Sequence, residues 1–522
     1  MSKSLPVLTG LEAKVFEAAL HRVDTLQNEL ERLGNEYSDR EDLPGNRIVL
    51  RALGLIVGES RREIVREGRR LAERDRTESV DNGFLRSIGS RTQTLDSLVH
   101  DYMPRATRTP GREVETLVRP LTRLVNTIFT DRELIFDPAD GYEIILSSVQ
   151  EPLTVYARYF SHNVWEAIKA LPHVTVISYP ALSQDDALQH LLLGHEIGHL
   201  VLSKEVSLDG GNADKVKLET LVFNLAFSEG IARLQQESPV KLSSADRREL
   251  HFRLQSIFRE LASDILGVRL MGPAYAIALA DYEAVRNRWA HGGVSQTHPG
   301  LAWRLRTVIS EARRFLDVDR ETAPWVSARA ALTELEQMIP EDLETMSDAE
   351  RAIIDRSLAL LDERLDQEIG DAQLLVGELE RLFDPVWDKL MHSIPPAEEI
   401  FRRSRPDVPQ PPFPASVGNR ARDILRTGLR GGRRPVADDI EPPNPWSQPI
   451  DWRVVLNAAA FCWAANALPY EGTNTEHLPI DPRRSAQRRE LNELVRGTIE
   501  LAETHLRLQE VKDELDDMNF VR

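Results

Sequence analysis

The sequence predicts a predominantly α-helical α+β protein with a small β-sheet, and three observations predict it. Long stretches carry apolar residues at three- and four-residue spacing, the pattern of helices with one buried face. Only three short runs, all between residues 134 and 180, read as strands bounded by turn residues. The chain has 522 residues and 41% hydrophobic content, enough for real cores in roughly two to four folding units.

The elements follow in chain order. Leu11, Val15, Ala18, Leu26, Leu30 and Leu33 fall near a seven-residue repeat, so a helix is expected from Leu11 to Leu33, with Thr9 as N-cap and Gly34 as stop signal. A second helix, near Arg47–Asp75, carries Arg61, Arg62, Arg66, Arg69 and Arg70. The interleaved Glu63, Glu67 and Glu73 make this a solvated face rather than an anion site. Residues 134–146 read as two strands around an Asp/Gly turn, and the β-branched run at 174–180 as a third. A helix from about Ser183 to Leu202 follows, with Ser183 as N-cap, Asp186 completing a capping box and Asp185 at the positive helix end.

Helices at about 213–236 and 244–270 precede a Gly272–Pro273 break. An acidic helical stretch spans 330–392, with Ile354, Leu358, Leu361, Leu365 and Ile369 on one stripe. Residues 395–450 concentrate proline and Arg-Gly clusters and read as a linker. Helices near 452–467 and 482–516 close the chain. The expected organisation is therefore an N-terminal helical segment (1–110), a core (111–320), an acidic helical segment (321–394), the linker (395–450) and a C-terminal helical segment (451–522).

Composition excludes several functions. The single cysteine, Cys462, excludes an internal disulfide framework and a Cys-rich zinc module, and its apolar surroundings place it in a core. The 65 Lys and Arg against 83 Asp and Glu leave a net charge of −18, which excludes a generally basic nucleic-acid coat. The N-terminal residues lack the apolar stretch of a secretory signal. The most apolar window, Leu261–Ala280, is broken by Asp264 and Arg269, so a cytoplasmic protein without a membrane span is expected. No phosphate-binding glycine loop or dinucleotide fingerprint is present in its required context.

The chemistry lies in His195-Glu196-Ile197-Gly198-His199. Two histidines four apart on a helix point the same way and can share one zinc ion. Glu196 lies roughly 100° round the helix from His195, placed to flank the ion and act as a general base. The flanking Leu191–Leu193 and Leu200–Leu202 bury this helix, where two histidines and a glutamate are costly unless something satisfies them.

A catalytic zinc normally takes a third protein ligand. Glu260, Glu229 and Glu219 compete for the role. Glu260 precedes Asp264 by one helical turn, where like charges repel unless they do different work. Glu260 binding the cation while Asp264 accepts a hydrogen bond from a ligand histidine would reconcile them. Gly267 on the same side can permit close helix approach. Glu229 falls on an apolar face with Leu218, Val222 and Leu225, which suits a ligand or an acid paired with arginine. Glu260 is preferred, Glu229 is the alternative, and Glu219 ranks third.

The HEIGH motif followed by Glu260 and Asp264 resembles the gluzincin branch of zinc metallopeptidases, to which thermolysin belongs. Thr297-His298-Pro299 with Arg304 is similar to an element of HtpX and CAAX-prenyl-protease-type peptidases. The resemblance covers about residues 130–310. It implies a zincin-like core, zinc held by His195, His199 and Glu260, Glu196 as base, Asp264 orienting a histidine, and His298 or Arg304 lining or bracing the site. His298 is the candidate second donor to the oxyanion. The chain departs from the HtpX type in lacking membrane helices, which argues against a membrane-protein substrate. The motif also resembles zinc proteins of the ImmA/IrrE regulatory type, whose third ligand lies nearer the histidines and would favour Glu219 or Glu229.

In zincins an edge strand before the metal helix pairs with substrate. The run at 174–180 occupies that place, with an ordinary internal strand as the other reading. The expected function is a zinc peptidase acting on a peptide or protein. The alternative is a non-catalytic or regulatory zinc-binding module that docks a protein partner through its helical arms.

Overall fold

The computed structural model describes residues 11–37, 44–72, 93, 112–130, 132–139, 141–146, 149, 153–154, 162–181, 186–207, 215–237, 243–285, 299–317, 319–339, 346–368, 375–393, 436–440, 450–465 and 482–520. They are predominantly helical, with a small mixed sheet and a two-stranded ribbon. The chain divides into two compact units, Met1–Gly111 with Leu121–Ala181, and Arg112–Pro120 with Leu182–Arg522.

In the first unit, helices α1 (Leu11–Glu36) and α2 (Pro44–Ala72) pack together. Val23, Leu26, Leu30 and Leu33 of α1 share one apolar core with Val49, Leu53, Ile56 and Ile64 of α2. Gly34 does not stop α1. The helix runs through it to Glu36, and the Tyr37 N–H still donates to Leu33 O at 2.9 Å. Thr9 lies outside the described residues. The arginine stretch is the solvated face expected: Arg61 pairs with Asp24, Arg62 with Glu59 and Arg66 with Glu63. Leu53 is fully buried in this core. Leu53→Ala is expected to cost about 2–5 kcal/mol, measured by chemical unfolding.

Helix α3 (Arg112–Ile128) leads to strands β1 (Arg132–Ala139) and β2 (Glu143–Leu146). After α4 (His162–Lys169) comes β3 (His173–Pro180). The sheet order is β1-β3-β2, with β3 parallel to β1 and antiparallel to β2. The two strands flanking the Asp/Gly turn therefore do not form a hairpin. β3 separates them because seven consecutive residues, Val174–Pro180, are buried, and such a run suits a central strand covered on both faces. Of the two readings of this strand, the internal one holds. Its backbone groups pair with β1 and β2 and leave no free edge for an extended peptide.

In the second unit, a 3₁₀ turn (Gln189–Leu192) opens into α5 (Leu193–Leu202). The short strands β4 (Glu205–Ser207) and β5 (Lys215–Lys217) then pair before α6 (Leu218–Glu237) and α7 (Ser244–Met271). The α-helix carrying HEIGH thus starts about ten residues later than Ser183. Ser183 and Asp185 lie outside the described residues, and with them the capping box read at Asp186; the Asp186 carboxylate takes Arg488 at 2.9 Å. Helix α7 starts as its sequence dictates, Ser243 and Asp246 forming a reciprocal capping box.

Beyond α7 come α8 (Tyr275–Val285), α9 (Leu301–Leu316), α10 (Ala323–Gln337), α11 (Asp348–Glu368), α12 (Leu375–Ser393), α13 (Val436–Ile440), α14 (Trp452–Ala465) and α15 (Pro482–Phe520). The expected linker thus holds one short helix, α13; residues 394–435 and 441–449 lie outside the described residues. Ile354, Leu361 and Leu365 of the α11 stripe are buried and Leu358 is half-buried; Ile369 lies outside the described residues.

Helices α9, α11 and α14 are bonded to α7. Arg269 of α7 pairs with Glu311 of α9 at 2.7 Å and with Asp362 of α11. At the same C-terminal end, α14 meets the α7 terminus. Arg453 donates to Leu270 O at 2.9 Å and Asn457 to Met271 O at 2.6 Å, satisfying carbonyls that a helix end leaves open. Gly272 follows at φ 96°, a conformation that favours glycine, which explains the break read there. The division into units consequently falls inside the expected 111–320 segment. Cys462 of α14 is fully buried in the core. Among the described residues, no helix is long and apolar enough to cross a membrane.

Candidate metal centre

The centre starts with two glycines. Gly194 and Gly198 lie one turn apart on α5 and meet α7 backbone to backbone. A Cβ on Gly198 would sit 2.8 Å from Ser263 O and 2.9 Å from Ser263 Cα, and one on Gly194 would sit 3.1 Å from Gly267 Cα. Glycine is required here for approach, and Gly267 contributes from α7 as expected. The adjacent stripe of α5 then presents His195 and His199 to the α7 side chains.

The imidazole rings stand 4.6 Å apart, nearly perpendicular. His195 Nε2 lies 3.4 Å from Glu260 Oε2, and His199 Nε2 lies 3.5 Å from Glu260 Oε1. These three side chains offer donor atoms within 4.8 Å of one another, a buried group able to hold a metal ion. Donors around a tetrahedral ion at 2.0–2.1 Å are about 3.3–3.4 Å apart, so the spacing fits a small ion with mixed nitrogen and oxygen ligands.

Each imidazole is oriented through its other nitrogen. His195 Nδ1 lies 2.8 Å from Asp264 Oδ1, and His199 Nδ1 lies 2.8 Å from Ser263 Oγ. With Nδ1–H donated in each ring, Nε2 keeps its lone pair for a metal. Asp264 is fully buried and collects further donors. Arg304 of α9 gives it Nε at 2.7 Å and Nη2 at 2.8 Å, and the Tyr275 hydroxyl of α8 donates at 2.7 Å. Arg304 also reaches Glu283 at 3.5 Å. Three α-helices thus hold one histidine of a fourth in place.

The electrostatics follow from this packing. Burial disfavours the His195 imidazolium, but Asp264, Glu260 and Glu196 outweigh burial and lift its pKa to about 10. Burial, together with the charge of His195, lowers His199 to about 3 and leaves it neutral. Burial also opposes ionisation of Glu260, yet His195, His199 and Arg304 hold it at about 2. Asp264 pays the same desolvation penalty and is held well below the usual carboxylate range by Arg304 and His195. Burial and the charge of Asp264 keep the Tyr275 hydroxyl protonated and therefore a donor. The carboxylates that draw a proton to His195 would equally draw a cation to its Nε2.

Glu196 is buried on α5, close enough for its charge to act on His195. Glu229 is elsewhere. It is exposed on α6 and pairs with Arg356 of α11 at 3.2 Å. The face read for it is buried only at its start: Leu218 and Val222 are buried, but Leu225 is 49% exposed and the buried residues next to it are Ala226 and Phe227. Glu219 is partly buried near Arg259, outside the metal group; burial raises its pKa. His298 lies outside the described residues. Ser263 and Tyr275 are site residues that sequence reasoning missed. Ser263 stands three positions after Glu260, on the side facing α5, and that spacing was the available signal.

No protein-family model, curated protein or solved structure matches this chain.

Proposed function

We propose that this protein is a zinc-dependent peptidase that hydrolyses peptide bonds in a peptide or protein substrate. One observation carries the reading: the Nε2 atoms of His195 and His199 converge on the Glu260 carboxylate, each with its Nδ1 held by a partner from α7. Two imidazoles and a carboxylate are the ligand set of catalytic zinc sites, which leave a fourth position open. This is the gluzincin reading, and the Asp264–Arg304 pair supports it.

Zinc bound here would polarise a carbonyl and lower the pKa of water to ~7. The remaining work belongs to the chain. His195, His199 and Glu260 hold the ion, and Asp264 and Ser263 fix the rings. Glu196 takes a proton from water on its carboxylate oxygen and delivers it to the leaving amine. Glu196→Gln is expected to keep stoichiometric zinc while peptide hydrolysis falls by ~10²–10⁴-fold. Unchanged cleavage by that variant would remove Glu196 as base.

Elemental analysis of purified variants tests the ligand set directly. Glu260→Ala is expected to lose zinc, and Glu229→Ala to retain one equivalent. The reverse result would move the third ligand to α6.

A second reading has its own observation. The ligand side chains are only 10–15% exposed, as in a zinc site that serves structure or partner docking. Under that reading parent and Glu196→Gln are equally inactive against a peptide library. Chelator-sensitive cleavage by the parent alone decides for the peptidase.

A further inference from the structure

Asp264 is the residue through which the surrounding helices reach the metal ligands, and one of its donors comes from an unusual place. Tyr275 is the first residue of α8, immediately after the Gly272–Ala274 turn that ends α7. Its hydroxyl donates to Asp264 Oδ1, the same oxygen that faces His195 Nδ1. Its ring is fully buried and fills the space beside Gly267, where a Cβ would lie 2.7 Å from Tyr275 Cε2.

The turn that presents Tyr275 is clamped from α14. Asn457 donates to Met271 O on one side of the turn at 2.6 Å and accepts from Ala274 N–H on the other at 2.8 Å. It is fully buried and sits over Gly272, where a Cβ would approach its side chain to 2.4 Å. The amide orientation is fixed by its partners, since Oδ1 must face the N–H and Nδ2 the carbonyl. A contact 183 residues beyond the turn thus joins a chain of buried hydrogen bonds: Asn457, the turn, Tyr275, Asp264, His195.

We propose that Tyr275 is a positioning residue of the metal centre, and that Asn457 of the C-terminal segment acts on metal affinity through it. This rests on the metal-binding reading above. Tyr275→Phe keeps the ring against Gly267 and removes one donor from Asp264, which retains Arg304 and His195. The variant should fold as the parent does.

The experiment is zinc affinity by competition with a chromophoric chelator, alongside the cobalt-substituted absorption spectrum and chemical unfolding of the metal-free proteins. Tyr275→Phe is expected to bind zinc about tenfold more weakly, with shifted cobalt bands and metal-free stability near the parent's. Asn457→Ala is expected to weaken zinc in the same direction, and to add nothing further in the Tyr275→Phe background. Parent-like affinity and spectrum in Tyr275→Phe would overturn its positioning role. Fully additive losses in the double variant would sever Asn457 from Tyr275. A parent that binds no zinc would instead overturn the metal reading itself, and this proposal with it.

Discussion

Gly198→Val is expected to abolish the proposed zinc binding and to destabilise the second unit. The Cβ alone would stand 2.8 Å and 2.9 Å from Ser263 backbone atoms, and the two methyl groups need still more room. Backbone cannot step aside as a side chain can, so α5 and α7 must separate. Overpacking of this kind costs about 1–3 kcal/mol in stability. The metal group suffers more, because Glu260 comes from α7 while both histidines come from α5. Their 3.4 and 3.5 Å spacing exists only while the helices touch. Elemental analysis and chemical unfolding of the purified variant check both effects. A valine variant retaining one zinc at parental stability would show that the glycine contact is not what sets the ligand geometry.

Arg304→Met is expected to give the larger loss of stability. Asp264 is fully buried and ionised, and Arg304 supplies both hydrogen bonds of a forked pair. Glu283, nearly as buried, loses the same partner. Stripping the cation from a buried pair costs about 3–5 kcal/mol, since the carboxylate left behind keeps its desolvation penalty. Methionine preserves bulk, so packing loss contributes little. The measurement is the unfolding free energy of metal-free protein, which separates this effect from zinc affinity. A loss below about 1 kcal/mol would mean that the pair is solvated in a way its burial does not suggest.

Much of this was written into local sequence. The two histidines needed only a four-residue spacing on one helix, and Glu260 with Asp264 needed the same on another. Gly272 and Pro273 announced the end of α7. The helical stripes at Leu26, Leu30 and Leu33 and at Ile354, Leu361 and Leu365 carried their burial in their period. Where the reading failed, the pattern was ambiguous or the decision lay far away. Glu229 shared a plausible face with Leu225, but the residues actually buried were its neighbours Ala226 and Phe227. The two strands around the Asp/Gly turn formed as read, but their order was not legible: the more apolar β3 took the position between them.

By itself, then, the sequence determined the helical character, the paired imidazoles and the carboxylate spacing, because helical periodicity is a property of neighbours a few residues apart. Only the tertiary structure decided that Glu260 rather than Glu229 faces the histidines. It alone brought Tyr275 and Ser263 into the hydrogen-bond network and set Asn457 against the end of α7. Those choices depend on which helix surfaces meet, and contact across helices is decided by packing between residues far apart in the chain, where no local spacing records it.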